Sequence, residues 1–229
     1  MRAITVCVDY SDYLAVTLPY NSHHFSDILV VTSPSDLSTI TLCETLGVAT
    51  YITDAFYRRQ ALFNKWLALE EGLDHFGRHG LLCILDSDIV FPANINMEYL
   101  VDRLYTPLRR MNPETTVPPE SQWSSFPYSA NTTEFSGYTQ IFYSTDKHLP
   151  TPPWHQLDWK HAGGADTFFQ ANWPESTKTR PNYEVLHLGE PGANWCGRSE
   201  QGRKALERYM KLRRGIRKSK RTYDNERLR

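Results

Sequence analysis

The chain has 229 residues, of which 40% are hydrophobic and 22% are charged, and its formal net charge is −1. This length suits one domain with a sizeable core, and no run approaches the ~20 apolar residues of a membrane-spanning helix. The opening MRAITVCVDY enters a strand-like pattern without the apolar core and cleavage site of a secretory signal, so we expect a cytoplasmic protein. The four cysteines are scattered and form no Cys-x-x-Cys pair, which favours reduced thiols over a zinc site or disulfides.

The charge is unevenly distributed along the chain. Residues 201–229 carry 12 Lys and Arg against 3 Asp and Glu, a net charge of +9, whereas the rest carries 13 against 23, a net charge of −10. A basic tail on an acidic body indicates contact with a polyanion, and a solvated terminus is the alternative. The candidate nucleic-acid-binding residues of this tail are Arg213, Arg214, Arg217, Lys218, Lys220 and Arg221.

Strand-like and helix-like patterns alternate through residues 1–92. Predicted strands cover 3–8, 28–32, 48–52 and 81–85, and predicted helices cover 13–18, 37–46 and 57–76. This alternation predicts an α/β fold, in which a mostly parallel sheet flanked by helices forms a nucleotide-binding half.

Residues 93–200 have a different, loop-rich character and form the second half of the same predicted domain. The pattern predicts a helix at 97–108, a long loop at 112–133, strands at 137–144 and 183–188, and a short helix at 167–172. A basic helix is predicted within 201–229.

The motif Asp86-Ser87-Asp88 follows the apolar run Leu81–Leu85. Because side chains alternate along an extended chain, Asp86 and Asp88 point the same way at the carboxyl end of a buried strand, where open α/β sheets place ligands. A hard divalent cation relieves the repulsion between two carboxylates and also binds phosphate oxygens. The motif therefore indicates a metal–diphosphate site, and a solvated turn is the alternative.

The order of these motifs resembles that of the GT-A glycosyltransferases over roughly residues 3–198. The strongest marks are LLCILDSDIVFP at 81–92 and YEVLHLGEPGANWCGR at 183–198, together with an Asn-Lys pair at 64–65 and a Gly-x-Asp at 164–166. The narrower likeness is to small GT-A enzymes of bacteriophages, which implies the cytoplasm of a host cell.

The resemblance implies a UDP-sugar donor and a Mn²⁺ or Mg²⁺ ion. It makes Asp88 a metal ligand, Asp86 a contact of metal or ribose, and His187 a late third ligand, although a strand histidine in the core is the alternative. The implied donor-binding residues are Val8, Asp9, Tyr10, Arg59, Lys65, Asp86, Ser87, Trp195 and Arg198. Tyr10 in the core, solvated charges at Arg59 and Lys65, and a static loop at Trp195 and Arg198 are the alternatives.

Asp166 is the candidate catalytic base, since inverting transfer needs a carboxylate that takes the proton of the acceptor hydroxyl. A helix cap is its structural alternative, and in a retaining enzyme it would bind a donor hydroxyl. Gly163 and Gly164 would let the backbone approach the sugar.

For the acceptor, the basic tail, the aromatic loops and the phage-like resemblance favour DNA carrying a 5-hydroxymethylpyrimidine, such as 5-hydroxymethylcytosine, with glucose as the transferred sugar. A saccharide, lipid or protein hydroxyl is the rival acceptor. A non-catalytic nucleic-acid-binding protein on a transferase scaffold is the alternative from another class.

Overall fold

Strand β1 (Arg2–Val6) lies near the middle of the main sheet. In this computed structural model, which describes residues 1–129, 135 and 137–189, the strand is flanked on both sides by parallel partners. Burial of Ala3 to Val6 on both faces explains the mainly apolar sequence of the strand.

The main sheet has seven strands in the order β3-β2-β1-β4-β8-β6-β9. The parallel group comprises β1, β2 (Asp27–Thr32), β3 (Ala49–Ile52) and β4 (Leu81–Asp86). The second group comprises β6 (Leu104–Tyr105), β8 (Thr139–Tyr143) and β9 (Lys178–Thr179), with β8 antiparallel to both β4 and β6. The predicted α/β class with a mostly parallel sheet is confirmed.

A second sheet of three strands has the order β5-β10-β7. It consists of β5 (Ile89–Val90), β7 (Leu108–Asn112) and β10 (Glu184–Leu188), and β10 runs parallel to β7 and antiparallel to β5. Because β5 follows β4 after two residues, this sheet brings the end of β10 to the carboxyl end of β4.

The helices are α1 (Ser11–Asn21), α2 (Leu37–Leu46), α3 (Lys65–Phe76) and α4 (Ala165–Gln170). Short 3₁₀ turns occupy Ser22–His24, Ala55–Gln60, Glu120–Ser125 and Glu175–Thr177. Among the described residues, no helix is long and apolar enough to cross a membrane.

Three predicted helices differ from the structure. Helix α1 continues through Pro19, because the Asn21 side chain bonds the Ile89 carbonyl (2.8 Å) and the Phe91 amide (2.9 Å) and so fixes the last turn on β5. Helix α3 begins at Lys65 and not near residue 57, because Asn64 caps it by accepting from Leu67 N. The predicted helix at 97–108 is absent, and part of it forms β6 instead.

Candidate active site

Lys65 and Asp86 meet where α3 begins and β4 ends. The Lys65 Nζ forms an ion pair with Asp86 Oδ1, and the two side chains are 9% and 34% exposed. The Asn64 cap and the bond from Asn64 Nδ2 to the Leu157 carbonyl (2.7 Å) fix the start of α3 and therefore the position of Lys65. Lys65, the lysine predicted to bind the donor, thus contacts Asp86, the first aspartate of the Asp86-Ser87-Asp88 motif.

Asp88 and His187 form a second close pair at the same end of the sheets. The Nε2 atom of His187 lies 3.4 Å from Asp88 Oδ2, and both side chains are buried. Pairing of His187 with Ile89 and the bond from Leu188 N to the Asp88 carbonyl (2.9 Å) hold the two together. Within the described part of the chain, His187 Nδ1 is buried and has no hydrogen-bond partner.

The Asp88 carboxylate has both acidic and basic side chains as neighbours. Burial raises its pKa, and the negative charge of Asp86 adds to the increase, whereas His187, Lys65 and Arg109 lower it. Arg109 is a neighbour that sequence reasoning missed, because no motif connects strand β7 with the Asp86-Ser87-Asp88 motif. Two carboxylates and three basic side chains therefore share this corner of the molecule.

The predicted metal ligands are brought together only in part. Asp88 and His187 offer a carboxylate and an imidazole side by side, which suits a divalent cation that also takes phosphate and water oxygens. Asp86 is held by Lys65, and among the described residues no group of three His, Cys, Asp or Glu side chains is arranged to hold a metal ion. Asp88 and His187 therefore fit an ion placed between them, and the metal-ligand roles of Asp86, Asp88 and His187 all stay predictions.

Asp166 is linked to Asp86 through Gly137 and Tyr138, the two residues that precede β8. Its Oδ2 accepts from Gly137 N (2.7 Å), and the next carbonyl, that of Tyr138, accepts from Asp86 N (2.9 Å). A Cβ on Gly137 would lie 2.7 Å from the Asp166 Cβ and 2.9 Å from Trp66 Cη2, so only glycine permits this approach. The structure therefore brings the candidate base into the neighbourhood of the Lys65–Asp86 pair.

The N-cap of α4 is Gly164, and Asp166 lies in the first turn. Asp166 Oδ1 accepts from Gly164 N (3.2 Å), so both carboxylate oxygens receive backbone donors. Gly164 has φ +105° and packs against Trp159, whose ring would lie 2.8 Å from an added Cβ. The backbone around the candidate base is therefore tightly constrained.

The predicted base-reading stretch lies beyond the end of β1. Val8 and Tyr10 are buried in the core, and Tyr10 stacks on Tyr13 with ring centroids 5.8 Å apart. Asp9 is exposed, with φ +60°, and its amide donates to Asp36 Oδ2 (2.7 Å). Partial burial, followed by the charge of Asp36, raises the pKa of Asp9. Asp9 is thus the member of this stretch whose side chain is available to a ligand.

The remaining predicted donor-binding residues are scattered. Ser87 is buried between the two aspartates, and its carbonyl accepts from Thr17 Oγ1 (2.7 Å). Arg59 is exposed and pairs with Asp158 (2.6 Å). Trp195, Arg198 and the tail residues Arg213, Arg214, Arg217, Lys218, Lys220 and Arg221 lie outside the described residues.

A buried Glu70–His155 pair anchors the loop that leads to α4. Glu70 accepts from His155 Nδ1 (2.6 Å), from the amides of Trp154 and His155 (3.1 and 3.0 Å), and from Arg78 (2.7 Å). The His155 ring stacks between Trp66 (4.9 Å) and Phe169 (4.3 Å). Sequence reasoning missed this network because Glu70 and His155 are 85 residues apart and form no motif.

The protonation states of this pair follow from its surroundings. Burial lowers the pKa of His155, although the Glu70 carboxylate opposes the decrease. Burial alone would raise the pKa of Glu70, but the hydrogen bonds and charges of His155 and Arg78 lower it overall. We therefore assign a neutral imidazole that donates from Nδ1 to an ionised carboxylate.

No protein-family model matches the sequence, and no curated protein matches it. Among solved structures, mannosyl-3-phosphoglycerate synthase from Rubrobacter xylanophilus is 17% identical over 48% of this chain, with a TM-score of 0.36. The galactosyltransferase LgtC is 11% identical over 63% (TM-score 0.36), and the inositol-1-phosphate CTP transferase from T. maritima is 9% identical over 83% (TM-score 0.48). This chain covers 40%, 58% and 89% of those three chains, respectively. At these identities the likeness concerns the fold alone.

Proposed function

We propose that this protein is a metal-dependent glycosyltransferase that uses a nucleotide sugar. The observation that carries the proposal is the meeting of the Lys65–Asp86 and Asp88–His187 pairs at the carboxyl ends of β4 and β10. Such a corner suits a nucleoside diphosphate, because cationic side chains and a carboxylate-bound divalent ion balance phosphate charge.

Asp88 and His187 would hold Mn²⁺ or Mg²⁺, which when bound neutralises charge on the departing diphosphate. Lys65 Nζ would contact a phosphate oxygen while keeping Asp86 in place, and Asp9 would contact the uracil-type base.

Asp166 would take the proton of the acceptor hydroxyl in an inverting reaction. The acceptor oxygen forms a bond to the anomeric carbon while the bond from that carbon to the diphosphate breaks, and the proton passes to the carboxylate. The bonds from Gly137 N and Gly164 N hold the Asp166 carboxylate in one orientation, and fixed placement of a catalytic group supports this role.

For the donor and the acceptor we propose UDP-glucose and a 5-hydroxymethylpyrimidine base in DNA, with 5-hydroxymethylcytosine as the leading candidate. The support is the net charge of +9 in residues 201–229, because Lys and Arg supply affinity for a phosphate backbone. A free hydroxymethyl group is also a suitable nucleophile. The rival acceptors are a saccharide, lipid or protein hydroxyl.

A nucleotide-release screen tests the transferase itself. Purified protein with Mn²⁺ or Mg²⁺ is incubated with a panel of nucleoside diphosphate sugars, and free nucleotide is measured with and without a chelator. Release that needs the metal supports the proposal. Full release under chelation would refute the metal requirement, and no release from any donor, combined with metal-independent DNA binding, would favour the non-catalytic scaffold.

The acceptor is tested by mass spectrometry of nucleosides. DNA that contains 5-hydroxymethylcytosine is incubated with the enzyme and UDP-glucose, and unmodified DNA serves as the control. A hexose mass increase on the modified nucleoside alone is expected. Absence of an increase with every donor that supports release would exclude this acceptor.

A further inference from the structure

Two aromatic side chains form an accessible surface beside the start of α4. The rings of Trp159 and Phe168 contact each other, with centroids 5.7 Å apart and planes tilted by 52°. Phe168 is 53% exposed, and Trp159 is half-buried against the core. We call these two rings the aromatic platform. Adjoining rings that stay accessible offer a flat apolar face to a ligand.

The platform lies next to the candidate base. Gly164 has φ +105°, and a Cβ added to it would lie 2.8 Å from the Trp159 ring. The amide of the same glycine donates to Asp166 Oδ1 (3.2 Å), and Phe168 follows Asp166 by two residues in α4. A ring bound on the platform would therefore lie close to the carboxylate that is proposed to accept the proton of the acceptor hydroxyl.

The segment that carries Trp159 is fixed to the start of α3 on both sides of the ring. The Leu157 carbonyl accepts from Asn64 Nδ2 (2.7 Å), and the Lys160 carbonyl accepts from the amides of Leu62 (2.7 Å) and Phe63 (3.2 Å). These bonds order the backbone around Trp159 before any ligand binds. Binding at the platform consequently has less ordering entropy to overcome.

A lysine beside the platform adds a positive charge. Lys160 is exposed, and its Nζ donates to the Arg59 carbonyl (2.6 Å), which carries no charge. In the part of the chain that the structure describes, Lys160 forms no ion pair, whereas Asp158, on the other side of Trp159, is paired with Arg59 (2.6 Å). A cation next to an aromatic surface suits a ligand that joins a ring to a negative charge.

We propose that the aromatic platform binds an unpaired nucleobase of a nucleic-acid acceptor and that Lys160 contacts the phosphate beside that base. The face of a base is accessible only in a single strand or when the base is turned out of a duplex, so the substrate must present it in one of these forms. This inference rests on the proposed function, because it assigns the acceptor to the site that contains Asp166. A pyranose ring could use the two aromatic rings but would leave Lys160 without a role.

The stacking is tested with two labelled probes, a single-stranded oligodeoxycytidine and an abasic strand of equal length. Fluorescence anisotropy gives the affinity for each, and their ratio reports contacts to bases, because contacts to phosphates contribute to both. Stacking predicts about tenfold tighter binding of the strand with bases. A ratio near one in the wild type would overturn the proposal.

The variants Phe168→Leu and Trp159→Leu should bring this ratio towards one, because leucine is apolar but cannot stack on a base. The matched control is Tyr20→Leu, since Tyr20 is 47% exposed on α1, which packs on the other face of the main sheet. Replacement of Phe168 removes a largely exposed ring and should leave the fold intact. A ratio that neither platform variant changes, or that Tyr20→Leu lowers equally, would contradict the platform.

The phosphate contact is tested by the salt dependence of binding. Lys160→Gln should reduce the slope of log affinity against log salt concentration by about one and leave the ratio of the two probes unchanged. Lys147→Gln removes the same charge from an exposed lysine that is paired with Asp102 (2.8 Å), and it should leave the slope unchanged. Equal slopes in both variants would exclude Lys160 from the site.

A measurement on the unaltered protein covers the case in which a variant does not fold. Hydroxyl-radical labelling with peptide mapping reports the accessibility of Trp159, Phe168 and Tyr20. Oligodeoxycytidine should protect the first two residues more than the abasic strand does, and neither probe should protect Tyr20. Protection by methyl glucoside without protection by oligodeoxycytidine would assign the platform to a sugar and overturn the nucleobase.

Nucleotide release from donor sugars without any acceptor, measured in parallel, reports on the transferase independently. Protection of the platform without release would leave the nucleobase site standing while refuting the transferase. Release without protection would refute the nucleobase site alone.

Discussion

Lys65, the first residue of α3, is ion-paired with Asp86, the last residue of β4. This pair joins a helix start, fixed by the Asn64 cap, to the strand that carries the acidic motif. The Lys65 ammonium group balances the charge of Asp86, whereas the Asp88 carboxylate lies beside His187. The two aspartates of one motif consequently have different partners and should respond differently to substitution.

Substitution of Lys65 should impair use of the donor more than it impairs folding. Lys65→Gln removes a charge-assisted bond from Asp86 and a cation from the proposed diphosphate site, so we expect about tenfold lower kcat/KM for nucleotide release. Lys65→Arg, which keeps the charge, should recover part of the loss. Unaltered kcat/KM in Lys65→Gln would show that the pair is structural only.

Asp88 and His187 should control metal affinity. In a titration of Mn²⁺ followed by electron paramagnetic resonance, Asp88→Asn and His187→Gln should each weaken binding about tenfold or more, because each removes one of two adjacent protein ligands. Asp158→Asn is the matched control, since Asp158 is exposed and pairs with Arg59. Equal Mn²⁺ affinity in the wild type and the three variants would refute the assignment of Asp88 and His187 as metal ligands.

Asp166→Asn should lower the rate of transfer strongly while leaving donor binding intact. Loss of a general base lowers turnover by a factor of about 10² to 10⁴. The amide oxygen of Asn can still accept from Gly137 N, whereas its NH₂ group cannot accept from Gly164 N, so the melting temperature should fall by only about a few degrees. The measurement is sugar transfer to the acceptor identified by mass spectrometry, with donor affinity as the control. Transfer near the wild-type rate would assign Asp166 to structure.

Acidification should destabilise the protein through His155. Burial lowers the pKa of His155 in the folded protein from its ordinary value of 6.5. The contribution of the neutral imidazole to the free energy of unfolding is therefore complete above pH 6.5, and it is lost as the pH falls from 6.5 towards the lower pKa of the folded protein. Glu70, whose pKa is lowered from 4.5, acts in the same direction at lower pH. The melting temperature should therefore fall between about pH 7 and pH 5 more steeply in the wild type than in His155→Gln. Parallel curves would show that His155 is not the titrating group.

The elements that the sequence predicts correctly are those whose ends and burial are decided by residues adjacent to them in the chain. Helix α2 was predicted at its observed bounds, because Asp36 accepts from Thr39 N at its start and Gly47 adopts φ +65° at its end. Strand β4 was equally clear, since its apolar run is buried on both faces. In both cases the sequence neighbours of the element decide its limits.

The wrong and missing predictions concern segments whose structure is decided by contacts between residues far apart in the sequence. Leu104 and Tyr105 pair with β8 and β9, and this pairing overrides a helix-like pattern around them. In the site, Asp86, Asp88, His187 and Asp166 were singled out from motifs, and their predicted roles stay predictions. Arg109 was missed because its position depends on the register between β7 and β10, which no local pattern encodes.

The insertion of β8 beside β4 has a consequence for truncated forms of the chain. The parallel strands β1 to β4 lie within residues 2–86, yet one edge of β4 is covered only by β8, which comes more than 50 residues later. A fragment that ended at Pro92 would expose the backbone donors and acceptors of an apolar strand. Such an open edge is a template for intermolecular strand pairing, so we expect this fragment to self-associate and not to behave as a free-standing nucleotide-binding module.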